Sequence, residues 1–238
     1  MRKLFPLFAL VLTMSSGTAF AHGIWVAQRL DVPTIVYGHL AEDGTYDPAK
    51  VKTVAGYGAD GATMDVSIDR AEHNVSLGVP DGTAVISTTF DNGFWIRDLS
   101  GEWQNVGKTD VPDGTESHQP LKFSTHILGP VDGGYKPTGV ALEIVPLLDP
   151  AALHLGDDLP VQVLFDGKPF ANAEVINDYV NDAHRTVEAD AEGKVTLKVV
   201  SEGVNVLAVE REEPTPENPD VDLIYYNATL SFVLPHVE

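Results

Sequence analysis

The 238-residue chain contains no cysteine. That absence excludes disulfides, thiolate metal sites and a cysteine-linked lipid anchor. Basic residues are few: 15 Lys and Arg stand against 35 Asp and Glu, a formal charge of −20. A surface this acidic repels nucleic acid and anionic lipid and attracts cations. Beyond residue 21 there is no long apolar run, so no stable membrane anchor is expected. Phosphate-binding loops, GxGxxG, GxSxG and HExxH are all missing. Asp and Glu are so abundant that no single pair stands out as a glycosidase-type acid and base.

What is present begins at the N-terminus. Residues 1–21 read as a secretory signal: Arg2 and Lys3 form a positive start, residues 4–14 a short apolar stretch, and Ala19-Phe20-Ala21 a small-residue cleavage pattern. Both basic residues of this segment leave with it, so residues 22–238 carry 13 basic against 35 acidic side chains. Export without cysteine fits a bacterial periplasm. Cleavage after Ala21 makes His22 the first residue of the mature chain. Its freed α-amine and its imidazole Nδ1 then form a ready-made bidentate chelate for one metal ion.

Alternation with period two dominates the remainder and predicts an all-β protein. Short apolar runs are separated by Gly, Asp and Asn turns such as Pro80-Asp81-Gly82 and Asp91-Asn92-Gly93. Residues 101–120 show no sustained period and are expected to form a long loop, with His118 near its end. Residues 121–128 alternate cleanly: Leu121, Phe123, Thr125 and Ile127 take one face, and Lys122, Ser124 and His126 the other, more polar one. His126 is therefore expected where a ligand can reach it. Residues 129–138, rich in Gly and Pro, suggest a boundary. The resulting organisation is a signal peptide (1–21), an N-terminal β domain (22–138) and a C-terminal β-sandwich (139–238), both of the immunoglobulin or prealbumin kind.

Eight histidines are the main chemical resource, and imidazole suits nickel, cobalt, copper and zinc. His22 and His39 rank first as metal ligands, because a strand formed by the mature N-terminus can pair with residues 33–40. His126 and His118 follow; His73, His154, His184 and His236 read as turn or terminal residues. No catalytic residue is assigned.

Several stretches resemble a known family. AHGIWV at 21–26, VYGHL at 36–40, LEIVPLLDPAALHLGDDLPVQVLFDGKPFANAEV from Leu142, DAEGKVTL from Asp190 and YYNATLSFVLP from Tyr225 are similar to bacterial exported proteins associated with nickel and cobalt uptake. These are soluble periplasmic components that accompany transporters of the energy-coupling-factor type. The resemblance implies a nickel or cobalt carrier that delivers its ion to a membrane transporter, and it places His22 and His39 at the family's two N-terminal His positions. Some members carry the chelating His at mature position two or three, whereas here it is first. The residues leave two other readings open. One is a copper oxygenase with a histidine brace acting on polysaccharide, for which Tyr37 is available near His39; the other is a structural β-sandwich without metal.

Overall fold

A computed structural model describes residues 22–234; the expected signal peptide lies outside the described residues. The first half contributes β1 (Gly23–Arg29), β2 (Val32–Gly38), β3 (Val51–Gly58), β4 (Thr63–Met64), β5 (Ser67–Arg70), β6 (Val75–Gly78), β7 (Thr83–Asp91), β8 (Trp95–Arg97), β9 (Trp103–Gln104) and β10 (Glu116–Ile127). The second contributes β11 (Leu142–Pro146), β12 (Asp158–Phe165), β13 (Lys168–Pro169), β14 (Glu174–Asp178), β15 (Asp182–Glu188), β16 (Lys194–Lys198), β17 (Val204–Pro214) and β18 (Leu223–Val233). Helix is confined to single 3-10 turns, such as Pro48–Lys50, where Asp47 accepts from the Ala49 amide at 2.9 Å. Among the described residues no helix is long and apolar enough to cross a membrane. The protein is all-β and built of stacked sheets, as the alternation predicts.

Three sheets form three layers. The middle sheet runs β15-β14-β17-β18-β10-β7-β3-β4, with β8 attached to β10 and β9 to β8; β1-β2-β6-β5 lie on one side of it and β11-β12-β13 with β16 on the other. The 129–138 segment does connect the two halves of the chain, but the middle sheet continues across it. β10 pairs in parallel with β18, from His118↔Leu223 to Ile127↔Phe232. Turn residues mark where a chain reverses; they do not say which strands, a hundred residues apart, will pair.

The segment expected to be an irregular loop supplies the first half of β10. Its other neighbour there is β8 up to His118, and β7 takes over from Leu121. Pro120 falls in the gap between these two partners, which is why a proline is tolerated inside a central strand.

Both faces of β10 are covered. Phe123 and Ile127 pack with Leu142, Ile144, Val161 and Val163 against the third sheet. Lys122, Ser124 and His126 face β1 and β2, beside Asn227, Thr229 and Ser231 of β18, and all six are buried. This polar layer has a reason. β1 is the edge strand of its own sheet, so its outer carbonyls have no strand partner. Thr229 Oγ1 donates to the Ile24 carbonyl at 2.5 Å, and Lys122 Nζ donates to the His22 carbonyl.

Candidate functional site

The site forms at the open end of the β1–β2 hairpin. The two strands are joined by Leu30 and Asp31, both with positive φ (48° and 64°), the geometry of a two-residue hairpin turn. Pairing then runs without a bulge to Gly23↔Gly38. His22 and His39 are the next residues on either strand, and the register alone brings them side by side.

Each is fixed by different neighbours. The His22 ring lies flat on Tyr37, with centroids 4.9 Å apart and planes 4° from parallel. Tyr37 in turn stacks on Phe90 at 5.4 Å, which ties His22 to the core. The chain after β2 turns back on itself: the Glu42 amide donates to the His39 carbonyl at 3.2 Å, and that of Gly44 to the Tyr37 carbonyl at 2.8 Å. Arg29 holds Asp43 on the same turn. The turn brings the Glu42 carboxylate to 3.0 Å from His22 Nε2. Any side chain at Gly38 would collide with the Glu42 main-chain carbonyl, so glycine is required where the strand gives way to the turn.

His39 meets the Tyr179 ring edge-on at 5.8 Å. Its imidazole is held below the usual His range, first by burial and then by the fields of His22 and His184, with Glu42 opposing. His184, on β15, thus belongs to the same electrostatic neighbourhood although it is remote in sequence. Tyr179 is fully buried, and burial raises its phenol further above the ordinary range than any of its neighbours do. Beneath the site a Cβ at Gly23 would press on Asn227 Oδ1 and the Tyr179 ring, each at 3.0 Å.

The other two ranked histidines lie elsewhere. The expectation that His126 projects from a reachable face is corrected: it is 4% exposed, and its Nδ1 bonds Ser231 Oγ at 2.8 Å. Alternation identified its face, but the β1–β2 hairpin covers that face. Burial lowers its imidazole to about 4. His118 packs against the exposed Trp103 at 4.7 Å, on the strand rather than in a loop. Glu42, His184 and Lys122 carry no pattern that marks them in the sequence; Glu42 is legible only once residues 39–42 are known to form a turn.

Chemically, the arrangement offers two imidazoles at neighbouring strand ends. Among the described residues no three His, Asp or Glu side chains gather as a metal-binding set. A site here therefore depends on the main-chain nitrogen of His22 becoming an amine. The contact between Nε2 and Glu42 leaves Nδ1, the nitrogen nearer the backbone, for chelation, and a carboxylate on the far nitrogen is the usual support for a metal-bound imidazole.

No solved structure matches the chain. An uncharacterised protein of Haemophilus influenzae is 25% identical over 217 residues, covering 88% of each chain. Residues 19–213 match the family model described as a domain of unknown function, DUF4198. With most of its length inside that match, the hairpin that carries His22 and His39 included, the chain belongs to the DUF4198 family.

Proposed function

We propose that this is an exported protein that binds a divalent metal ion, nickel or cobalt, at its processed N-terminus and delivers it to a membrane uptake transporter of the energy-coupling-factor type. The observation that carries the metal reading is the contact of His22 Nε2 with Glu42 at the end of the hairpin, beside His39. It orients a chelate of amine and Nδ1 with a second imidazole one register step away. Three nitrogen donors suit borderline ions, and the acidic surface attracts cations before they bind. The choice of nickel or cobalt, and the transporter as recipient, rest on the sequence resemblance.

Calorimetric titration of protein beginning at His22, with Ni²⁺, Co²⁺, Cu²⁺ and Zn²⁺, tests this. One tight site that takes Ni²⁺ or Co²⁺ supports the carrier. Absence of binding by all four ions overturns it. A site that retains Cu²⁺ alone against competing Ni²⁺ favours the copper oxygenase, for which this donor set would also serve. Tyr37, the candidate axial ligand of that reading, lies face to face with His22, and its hydroxyl accepts from Asn92 at 3.4 Å.

Glu42→Gln is expected to weaken nickel binding by roughly 10- to 100-fold, the usual effect of removing a carboxylate that supports a ligating imidazole. Because the Glu42 side chain is half exposed, folding stability should barely change. The two measurements together separate a role in the site from a role in the fold.

A further inference from the structure

We infer that Lys122 is the positioning residue of this N-terminal site: its buried ammonium grips the His22 carbonyl and so fixes the backbone from which the chelating amine and imidazole project. The inference rests on the metal-binding reading above.

Lys122 lies near the middle of the molecule, 1% exposed, on β10 between Phe90 of β7 and Asn227 of β18. Burial lowers its amine to about 7, and a polar group in such a place is expensive unless it does something that an apolar chain cannot. Its hydrogen-bond acceptor is the His22 carbonyl, and its Nζ stands 5.7 Å from the centre of the Tyr37 ring, the same ring on which His22 stacks. The half-buried Glu210 of β17 supplies compensating charge; it is held by Asn227 Nδ2 at 3.2 Å, and its field acts on Lys122. One lysine thus touches both supports of the first mature residue, its main chain and its ring.

The physical need is specific to a cleaved chain. His22 lies one residue past the last rung of the ladder, and after processing nothing precedes it. Such a terminal residue frays unless it is tied down. A chelate whose two donors belong to one residue gains nothing from the fold if that residue is free to swing, because His39 can then no longer meet the ion. Lys122 ties down the His22 carbonyl, which lies beyond the ladder. Losing it should cost about tenfold in affinity, corresponding to the ordering of one backbone residue.

The test compares wild-type protein beginning at His22 with Lys122→Met, each also made with the His22 amine acetylated. Ni²⁺ titration gives the affinities, the visible d–d absorption of the Ni²⁺ and Cu²⁺ forms reports ligand geometry, and thermal unfolding of the metal-free forms reports the fold. Lys122→Met starting at His22 should still unfold cooperatively, bind Ni²⁺ about tenfold more weakly and shift the d–d band. With the amine acetylated, the same substitution should leave residual binding unchanged. Wild-type affinity and spectrum in Lys122→Met, or an equal loss in both backgrounds, overturns the inference while leaving the metal site standing. A wild-type protein that binds no metal instead removes the reading beneath it. If Lys122→Met does not fold, Lys122→Gln, polar but too short to hold the carbonyl, is judged by the same outcomes.

Discussion

Protein whose His22 amine is blocked by acetylation should bind nickel on the order of 10²- to 10⁴-fold more weakly than protein that begins at a free His22, the range over which a second tethered contact usually raises affinity. Acetylation turns the His22 nitrogen from a basic amine into an amide, which keeps its proton at neutral pH when no free terminal amine stands beside it to anchor the ion. His22 then supplies one donor instead of two, and the chelate ring is lost. The remaining imidazoles of His22 and His39 are still side by side, so weak binding persists rather than vanishing. His22→Ala in protein beginning at residue 22 with a free amine removes the imidazole and keeps the amine, and should be comparably damaging. Calorimetry on the three proteins at one pH decides the matter. Equal affinity in the acetylated and free forms would show that the amine is not a ligand. Binding should also weaken as the pH falls below about 6, where protons compete for imidazole. Because burial already holds the His39 proton affinity low, His39 should resist that competition longer than an exposed histidine.

The second large effect concerns stability in acid and needs no metal. His126 is buried on every side, and its imidazole is lowered to about 4, chiefly by desolvation, with the hydrogen bond to Ser231 opposing. In the unfolded chain it titrates near its ordinary value of about 6.5. Between those two values the unfolded state binds a proton that the folded state refuses, so stability falls as the pH is lowered. The neutral imidazole contributes its full stability above about 6.5, and about 3 kcal/mol should be lost by pH 4. His126→Asn keeps a polar atom near Ser231 and cannot titrate. It should be less stable than wild type at pH 7, because a smaller side chain leaves a gap. Its loss between pH 7 and pH 4 should be about 3 kcal/mol smaller. Urea unfolding of metal-free protein at a series of pH values gives both curves. Parallel curves would mean that His126 does not govern acid stability. Asp98, lowered to about 2 by its hydrogen bonds to Ser100 and Gln104, titrates below this window, whereas burial raises Glu143 and Glu210 toward it, so the difference between the two curves is what isolates His126.

Much of the local structure could be read from residue order. The clean alternation of residues 121–128 defined the two faces of β10 correctly. The pairing that makes neighbours of His22 and His39 followed from one elementary rule. Two strands joined by a tight turn align in register, and here the turn at Leu30–Asp31 counts the residues out to both histidines. The rest was hidden for physical reasons. Whether a polar face meets water depends on what is laid over it. Lys122, Ser124 and His126 look like a solvated stripe until the β1–β2 hairpin covers them. His118 looked like a loop residue because its strand owes its existence to β8 and β18, one beside it in sequence and the other about a hundred residues on.

The sequence by itself determined the β class, the positions of the turns and the exclusion of thiolate chemistry, because alternation, turn residues and the lack of cysteine are properties of residue order alone. Only the tertiary structure decided that strands from both halves share one sheet, that His126 is a core residue, and that Glu42, Lys122 and His184 surround the hairpin end. Those outcomes depend on which surfaces exclude water from one another, and contact between remote segments leaves no periodic mark on the chain.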